Sequence, residues 1–236
     1  MKIIPPSWQF EDHGVITGPH LLRVLEQYGR TCYKSEEKIT NNSAAGFVRM
    51  LIARGHESVL EHEKVTIRIV CDRGVTHEIV RHRIASYSQE STRYCNYGHE
   101  KEITVILPLW YRDEHLFFEK MFLDGGETPE ESVVASVGLT NLQRRYWMWR
   151  HTCAVAQESY LDMLQHGAAP QEARSVLPNS LKTEIVITCN LREWRHFFRL
   201  RTSKAAHPQM REITIPMLVE FKHVFPIIFD DIVAEG

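Results

Sequence analysis

The chain has 236 residues, 43% of them hydrophobic and 25% charged, with a formal net charge of −2. That length can bury a sizeable core in one large domain or two small ones. The near-neutral balance excludes a global basic field for nucleic acid, so any anion binding must come from local arginine clusters. Taken in chain order, residues 19–31 predict a helix, because Leu21, Leu22, Leu25 and Tyr28 recur at three- and four-residue spacing. A second helix is predicted over 43–54, capped by Asn42 or Ser43 and closed by Gly55. Residues 64–71 alternate, with Val65, Ile67, Ile69 and Cys71 on one side and Lys64, Thr66 and Arg68 on the other, which predicts a half-buried strand. Asp72-Arg73-Gly74 breaks it, and 75–83 returns to a helical pattern. The stretch after Arg83 reads as loop or irregular strand, and 102–107 alternates again through Ile103, Val105 and Leu107.

A surface excursion with Asp124-Gly125-Gly126 comes next. Thr128-Pro129-Glu130-Glu131 then has the pattern of a helix start, and the helical region runs to about Gly167 with Gly138 as a point of interruption. Leu142, Tyr146, Trp149, Cys153, Ala156, Tyr160 and Met163 form its apolar stripe. Pro170 opens a short helix that Pro178 closes, 183–189 reads as a strand, and Asn190 caps a helix through about 201. Pro208 opens the last helix, which Pro216 should kink. Helices and strands mix without βαβ alternation. This predicts a single α+β domain over 1–236, a mainly antiparallel sheet flanked by helices. No G-x-G-x-x-G follows a strand and no G-x-x-x-x-G-K-[ST] occurs, so a nucleotide would bind neither as in a Rossmann domain nor as in a P-loop.

The most informative stretch is 81–94. It holds four cation positions (Arg81, His82, Arg83, Arg93), four hydroxyls (Ser86, Ser88, Ser91, Thr92) and two aromatics (Tyr87, Tyr94). An isolated Arg-His-Arg is usually a solvated helix end. Serines and a further arginine directly behind it suit phosphate oxygens better than a structural ion pair. Arg174 and the helix at 191–201 add to this. Arg192, Arg195 and Arg199 share a face by their spacing, and Trp194, Phe197 and Phe198 cover the other side. Such interleaving is compatible with single-stranded nucleic-acid binding. It is equally compatible with aromatics in a core and arginines lining a pocket, which is the favoured reading.

Metal and thiol chemistry have weaker support. His77 and His82 are five apart, one residue too many for H-E-x-x-H, so on a helix they would not face one metal; His56 and His62, six apart, fail similarly. No metal is expected. The five cysteines (Cys32, Cys71, Cys95, Cys153, Cys189) are odd in number, widely spaced and without a C-x-x-C pair, which fits a reducing cytoplasm. Pro5 and Pro6 interrupt the region where a signal peptide would be apolar, and no run reaches the ~18–20 apolar residues of a membrane helix. A cytoplasmic protein with no membrane or nucleic-acid partner is expected. Only Cys95, near Arg93, has a conceivable activating neighbour, and no base is placed for Ser91. Missing equipment for covalent catalysis favours a cofactor that carries the chemistry.

Arg81-His82-Arg83 followed after seven residues by Ser91 resembles the RHR-x7-S signature of the flavin-dependent thymidylate synthases. Four further segments resemble that family in order: His56 to His62 its G-H-E-[ST]-x-x-E-H, Ala173 to Pro178 its A-R-x-x-L-P, Asn190 with Arg192 its N-x-R, and Leu200-Arg201 with His207 and Gln209 its ending. The resemblance implies a homotetramer with FAD at subunit interfaces, converting dUMP to dTMP with 5,10-methylenetetrahydrofolate as carbon donor and NADPH as reductant. It also implies that Ser58, Arg81, His82, Arg83, Gln89, Asn190, Arg192 and His196 contact FAD. Glu78, Arg81, Gln89, Ser91, Thr92, Arg93, Arg174 and Arg201 would surround dUMP, with Arg201 catalytic. Three positions depart from the usual pattern: Glu78 where many members carry Gln, Gln89 where many carry Glu, and His196 where others carry Asn. Glu78 is expected to pair with Arg81 or His82 at helical spacing.

Overall fold

The computed structural model describes residues 1–11, 17–122 and 138–235. The chain forms two compact units. One takes Met1–Ser7, Val70–Glu78 and Gln89–Ile185, the other Trp8–Ile69, Ile79–Ser88 and Val186–Gly236. A small sheet pairs β1 (Lys2–Ile4) with β5 (Thr104–Ile106) in parallel, Ile3 opposite Val105. A four-stranded sheet has the order β2 (Ser7–Phe10), β3 (Lys64–Asp72), β6 (Lys182–Asn190), β4 (Ser86–Gln89). Opposite ends of β3 and β6 show that these two run antiparallel: Leu191 N donates to Glu63 O at 3.0 Å, and Arg73 N to Asn179 O at 3.1 Å. The alternation seen in the sequence is realised: Val65, Ile67, Ile69 and Cys71 are buried on β3, and Thr183, Ile185, Ile187 and Cys189 on β6.

In the first unit, α5 (Asn141–Gln165) packs Cys153 and Tyr160 against Ile103, Val105, Ala173 and Leu181. Its earlier turns place Tyr146 with Leu107, Leu139 and Phe118, the last on α4 (Arg112–Phe122). The helix starts at Thr140, whose hydroxyl accepts from Gln143 N while the Gln143 side chain accepts from Thr140 N. This capping box is legible in Thr140-x-x-Gln143; residues 138–140 are not helical, which is the interruption expected at Gly138, and the start expected at Thr128 lies outside the described residues. Helix α4 was not expected, and neither was Arg150, buried on the α5 stripe and bonded to Glu119 at 3.2 Å.

In the second unit, α1 (Gly18–Tyr33) packs on α2 (Ser43–Ala53) through Leu21, Leu22, Leu25, Phe47, Val48 and Leu51. Helices α7 (Leu191–Arg201) and α8 (Pro208–Val224) meet through an aromatic cluster of Trp194, Phe198, Phe221, Phe225 and Phe229. Helix α8 runs through Pro216. The short helix α6 (Pro170–Ala173) and the 3-10 turn Arg174–Val176 stand where Pro170 and Pro178 placed them. Among the described residues no helix is long and apolar enough to cross a membrane.

Candidate functional site

Helix α3 (Arg73–Ile79) follows β3 directly. Asp72 Oδ1 accepts from Val75 N at 2.8 Å, so Asp72-Arg73-Gly74 starts the helix as well as ending the strand. The helix ends at Ile79, and the Arg81-His82-Arg83 cluster lies beyond it rather than on the helix expected through 83. The Tyr87 hydroxyl lies against its end, 2.9 Å from Ile79 O and 2.7 Å from His82 O, and shares its one proton between these two carbonyls. The turn that follows the helix throws His82 inward, while Arg81 and Arg83 stay exposed.

His82 is 4% exposed and both of its ring nitrogens are engaged. Arg201 Nε donates to Nε2 at 3.0 Å, and Nδ1 lies 3.1 Å from Glu193 Oε1. A guanidinium only donates, so Nε2 must be the acceptor and Nδ1 must carry the proton it gives to Glu193. Geometry thus fixes one neutral tautomer, and His82 cannot pair with Glu78 as the spacing suggested. Burial holds His82 below the ordinary histidine range, and the charge of Arg201 pushes the same way against Glu193. His82, Glu193 and His196 also bring three potential metal-ligating atoms within 4.8 Å of one another. The Arg201 bond keeps the proton on His82 Nδ1, so the nitrogen facing Glu193 has no lone pair for a cation.

The neutral state of His82 sets a pH dependence. As pH falls, the unfolded chain takes up this proton before the folded one does. The contribution to stability is complete above about pH 6.5, the unfolded value, and is lost as pH drops through the lower folded value. Unfolding measured from pH 8 to pH 5 should therefore show a steeper acid loss for the wild type than for His82→Gln. Equal slopes would rule this out.

Beside His82 opens a cleft of about 500 Å³ lined by Glu57, Glu61, Ile84, Asn190, Arg192, Glu193, His196 and Arg199. Asn190 Oδ1 caps α7 by accepting from Glu193 N at 2.8 Å. Glu193, three residues after this cap, turns its carboxylate to His82 instead of back to the cap. Arg192 pairs with Glu61 at 2.5 Å on the cleft wall. Arg195 and Arg199 share a face as their spacing predicts, since both bond Glu57 and Asp231, but Arg195 is 0% exposed, with Glu57 at 3.0 Å, the two Asp231 oxygens at 2.6 and 2.8 Å, and Ile228 O as partners. Trp194, Phe197 and Phe198 are also fully buried. None of these three rings is left for a base to stack on, which removes the interleaved aromatics on which the nucleic-acid reading rested.

Of the expected flavin residues, Asn190, Arg192 and His196 line this cleft and His82 lies against His196, ring centres 5.5 Å apart. Ser58, Arg81 and Arg83 are exposed residues of the same unit outside the lining. Gln89 belongs to the other unit, with Glu78, Ser91, Thr92, Arg93 and Arg174. There the turn after β4 is tightly built. Ser91 O accepts from Tyr94 N and Cys95 N, and Ser91 Oγ from Arg93 N at 3.3 Å. Arg174 Nη1 donates to Thr92 Oγ1 at 3.4 Å. Glu90 is held by the Tyr97 hydroxyl at 2.7 Å and Lys182 Nζ at 3.0 Å, which neutralises the one acid in this turn. The structure thus gathers Ser91, Thr92, Arg93 and Arg174, with Gln89 just before them on β4. His207 has a local role, its ring accepting from Gln209 N at 3.3 Å to cap α8.

A flavin-dependent thymidylate synthase from Pyrococcus furiosus is 33% identical over 198 residues, spanning 84% of this chain and 70% of that protein. One from Mycobacterium tuberculosis is 34% identical, spanning 97% and 85%. The family model described as thymidylate synthase complementing protein matches residues 17–227. The chain belongs to the flavin-dependent thymidylate synthase family. A UMP/dUMP methylase, PolB from Streptomyces cacaoi, solved with 5-Br dUMP, has the same fold, with a TM-score of 0.73, 22% identity and coverage of 98% and 96% of the two chains. In this flavin-dependent thymidylate synthase family member, the sequence reading gave no role to Glu57 and Glu193 around the cleft, or to Glu90, Thr76 and Thr183 around β4 and the turn after it. Glu193 had a signal in its spacing from Asn190 and Glu57 lies in the His56–His62 segment, whereas Glu90, Thr76 and Thr183 belong to no motif or periodic pattern that marks them.

Proposed function

We propose that the chain converts dUMP to dTMP with FAD as cofactor, 5,10-methylenetetrahydrofolate as carbon donor and NADPH as reductant, as a homotetramer whose active sites draw residues from neighbouring subunits. The observation that carries this reading is the His82–Arg201–Glu193 network beside a cleft rich in donors, in a chain of this family. The donor set suits a dinucleotide. Arg192 and Arg199 offer charge to a diphosphate, Asn190 and His196 offer polar edges to ring heteroatoms, and Ile84 offers an apolar wall. Bound flavin would supply the hydride that completes the methyl group, so that tetrahydrofolate leaves unoxidised. Ser58, Arg81, His82, Arg83, Gln89, Asn190, Arg192 and His196 are the residues assigned to it.

For dUMP, Arg174, Arg93 and the Ser91 hydroxyl hold the phosphate, and Thr92 steadies Arg174. Glu78, Arg81 and Gln89 complete the surround. Arg201 faces the pyrimidine carbonyls, where it stabilises negative charge on the ring and favours loss of the N3 proton, raising electron density at C5. Its aim is set by the bond to His82. Ile84 inside the signature and Tyr94 just after it, 68% and 77% exposed, provide apolar surface for a neighbouring subunit to cover.

The test is tritium release from dUMP labelled at C5, with FAD, NADPH and methylenetetrahydrofolate supplied and then each omitted. Release that needs all three is expected. A folded, flavin-loaded protein that releases no tritium overturns the reading. The same scheme needs no thiol nucleophile: burial pushes Cys153 up to about 12 and raises Cys71 and Cys189, so these thiols stay protonated at neutral pH. Iodoacetamide should leave those three unmodified in the native protein by mass spectrometry, and Cys95→Ser should retain turnover. Loss of turnover in Cys95→Ser would reopen covalent catalysis.

A further inference from the structure

Two buried threonines hold the side chain of Gln89. Its Nε2 lies 3.0 Å from Thr76 Oγ1 on α3 and 3.3 Å from Thr183 Oγ1 on β6. Thr76 and Thr183 are 0% and 1% exposed. Thr76 Oγ1 gives its single proton to the Arg73 carbonyl at 2.9 Å. A hydroxyl with its proton committed can only accept, so the Gln89 atom facing it has to be the donor nitrogen. The second amide proton goes to Thr183. Among the described residues nothing is bonded to Gln89 Oε1. The amide is therefore orientated, with its acceptor end left available for a ligand.

We propose that Thr76 and Thr183 are positioning residues that lock Gln89 as a neutral hydrogen-bond acceptor for an N–H or O–H group of the bound nucleotide. This rests on the reading that Gln89 meets FAD or dUMP. A carboxylate at this position would present an acceptor in either rotation. An amide presents one only if something holds it, because a half-turn puts N–H groups against the ligand's donor. The threonines supply that restraint from below, where no water competes.

The experiment is a double comparison of nucleotide affinity by calorimetry. FAD is titrated into flavin-free protein, and dUMP into flavin-loaded protein, so the two arms tell which nucleotide carries the donor. Thr76→Val with Thr183→Val should weaken one of the two about tenfold, the size of one well-made hydrogen bond. Thr76→Ser, which keeps the hydroxyl, should restore much of the loss. In a Gln89→Glu background the same pair of valines should change affinity less than about twofold, since a carboxylate has no donor face to misplace. Equal penalties in the two backgrounds would make the threonines merely structural, and no penalty in the Gln89 background for either nucleotide would overturn the proposal outright. A ligand-free arm follows the Gln89 side-chain amide protons by NMR. Slow exchange in the wild type, lost in the valine pair, is expected; fast exchange in the wild type overturns the lock. A wild type that binds neither nucleotide overturns the functional reading and the proposed role with it, and the exchange arm separates that case from failure of the lock.

Discussion

Arg201→Ala should lower kcat/KM for dUMP by roughly a thousandfold, the scale set by removing a donor aimed at charge that develops in the transition state. The loss should fall on kcat more than on nucleotide affinity, because the guanidinium is assigned to the ring where charge accumulates and the phosphate is assigned to Arg174, Arg93 and Ser91. The fold should survive. Arg201 sits in the last turn of α7, where the Thr214 hydroxyl bonds its backbone carbonyl, a contact that alanine keeps. What is lost is the 3.0 Å bond to His82 Nε2, and with it the fixed tautomer. Tritium release from C5-labelled dUMP reads the first effect, and flavin absorbance confirms a loaded, folded protein. Retained turnover would remove Arg201 from its assigned role. Arg201→Lys should recover little, because a lysine carries the charge on one mobile atom and cannot reproduce the planar fork.

The largest effect on stability is expected at Arg195. It is fully buried and makes its bonds to two carboxylates, Glu57 and Asp231, and to Ile228 O. Taking away one side of a buried ionic network typically costs about 3–5 kcal/mol; the half-exposed Arg199, 3.2 Å from Glu57 and 3.3 Å from Asp231, still touches both carboxylates, so the lower end of that range is expected. Arg195→Ala should lose that much in denaturant unfolding, or fail to accumulate as folded protein. Asp231→Asn should lose much less, since Asp231 is half open to solvent, 45% exposed in its side chain, and Glu57 remains to balance the arginine. Arg195 holds Asp231 below the usual carboxylate range even though burial alone would raise it. A milder loss for Arg195→Ala than for Asp231→Asn would show that the carboxylates, and not the guanidinium, organise this corner.

The contrast between Arg195 and its neighbours shows where the sequence was informative. Strands β3 and β6 were legible because alternation is a local property, and α7 was legible because Asn190 caps it in place. Three of the four arginines of α7 were assigned one face by spacing, and Arg195 and Arg199 do share Glu57 and Asp231, but only Arg195 is buried, a difference that spacing cannot show. Strands β1 and β2 were missed because each is three or four residues long, too short for a periodic signal, and helix α4 because, among the described residues, Phe118 is its one buried side chain. His82 was assigned to the ligand side of its cluster by motif. Its inward turn comes just past the end of a helix that the pattern 75–83 had extended, where Tyr87, five residues on, bonds its carbonyl.

The Arg195 contacts also bear on the order in which a new chain can take shape. Glu57 and Asp231 come together on one guanidinium although 174 residues separate them in sequence, and the cleft wall carrying Glu57 is held in place by that junction. During synthesis, residues 8–69 leave the ribosome with the apolar faces of α1 and α2 able to pair at once, but the wall cannot be pinned until translation has passed residue 231. Pairings so distant carry a large loop-closure penalty and form late. This unit is therefore finished only after residue 231 has been made, and a growing chain stopped short of that point would present the cleft with one side loose.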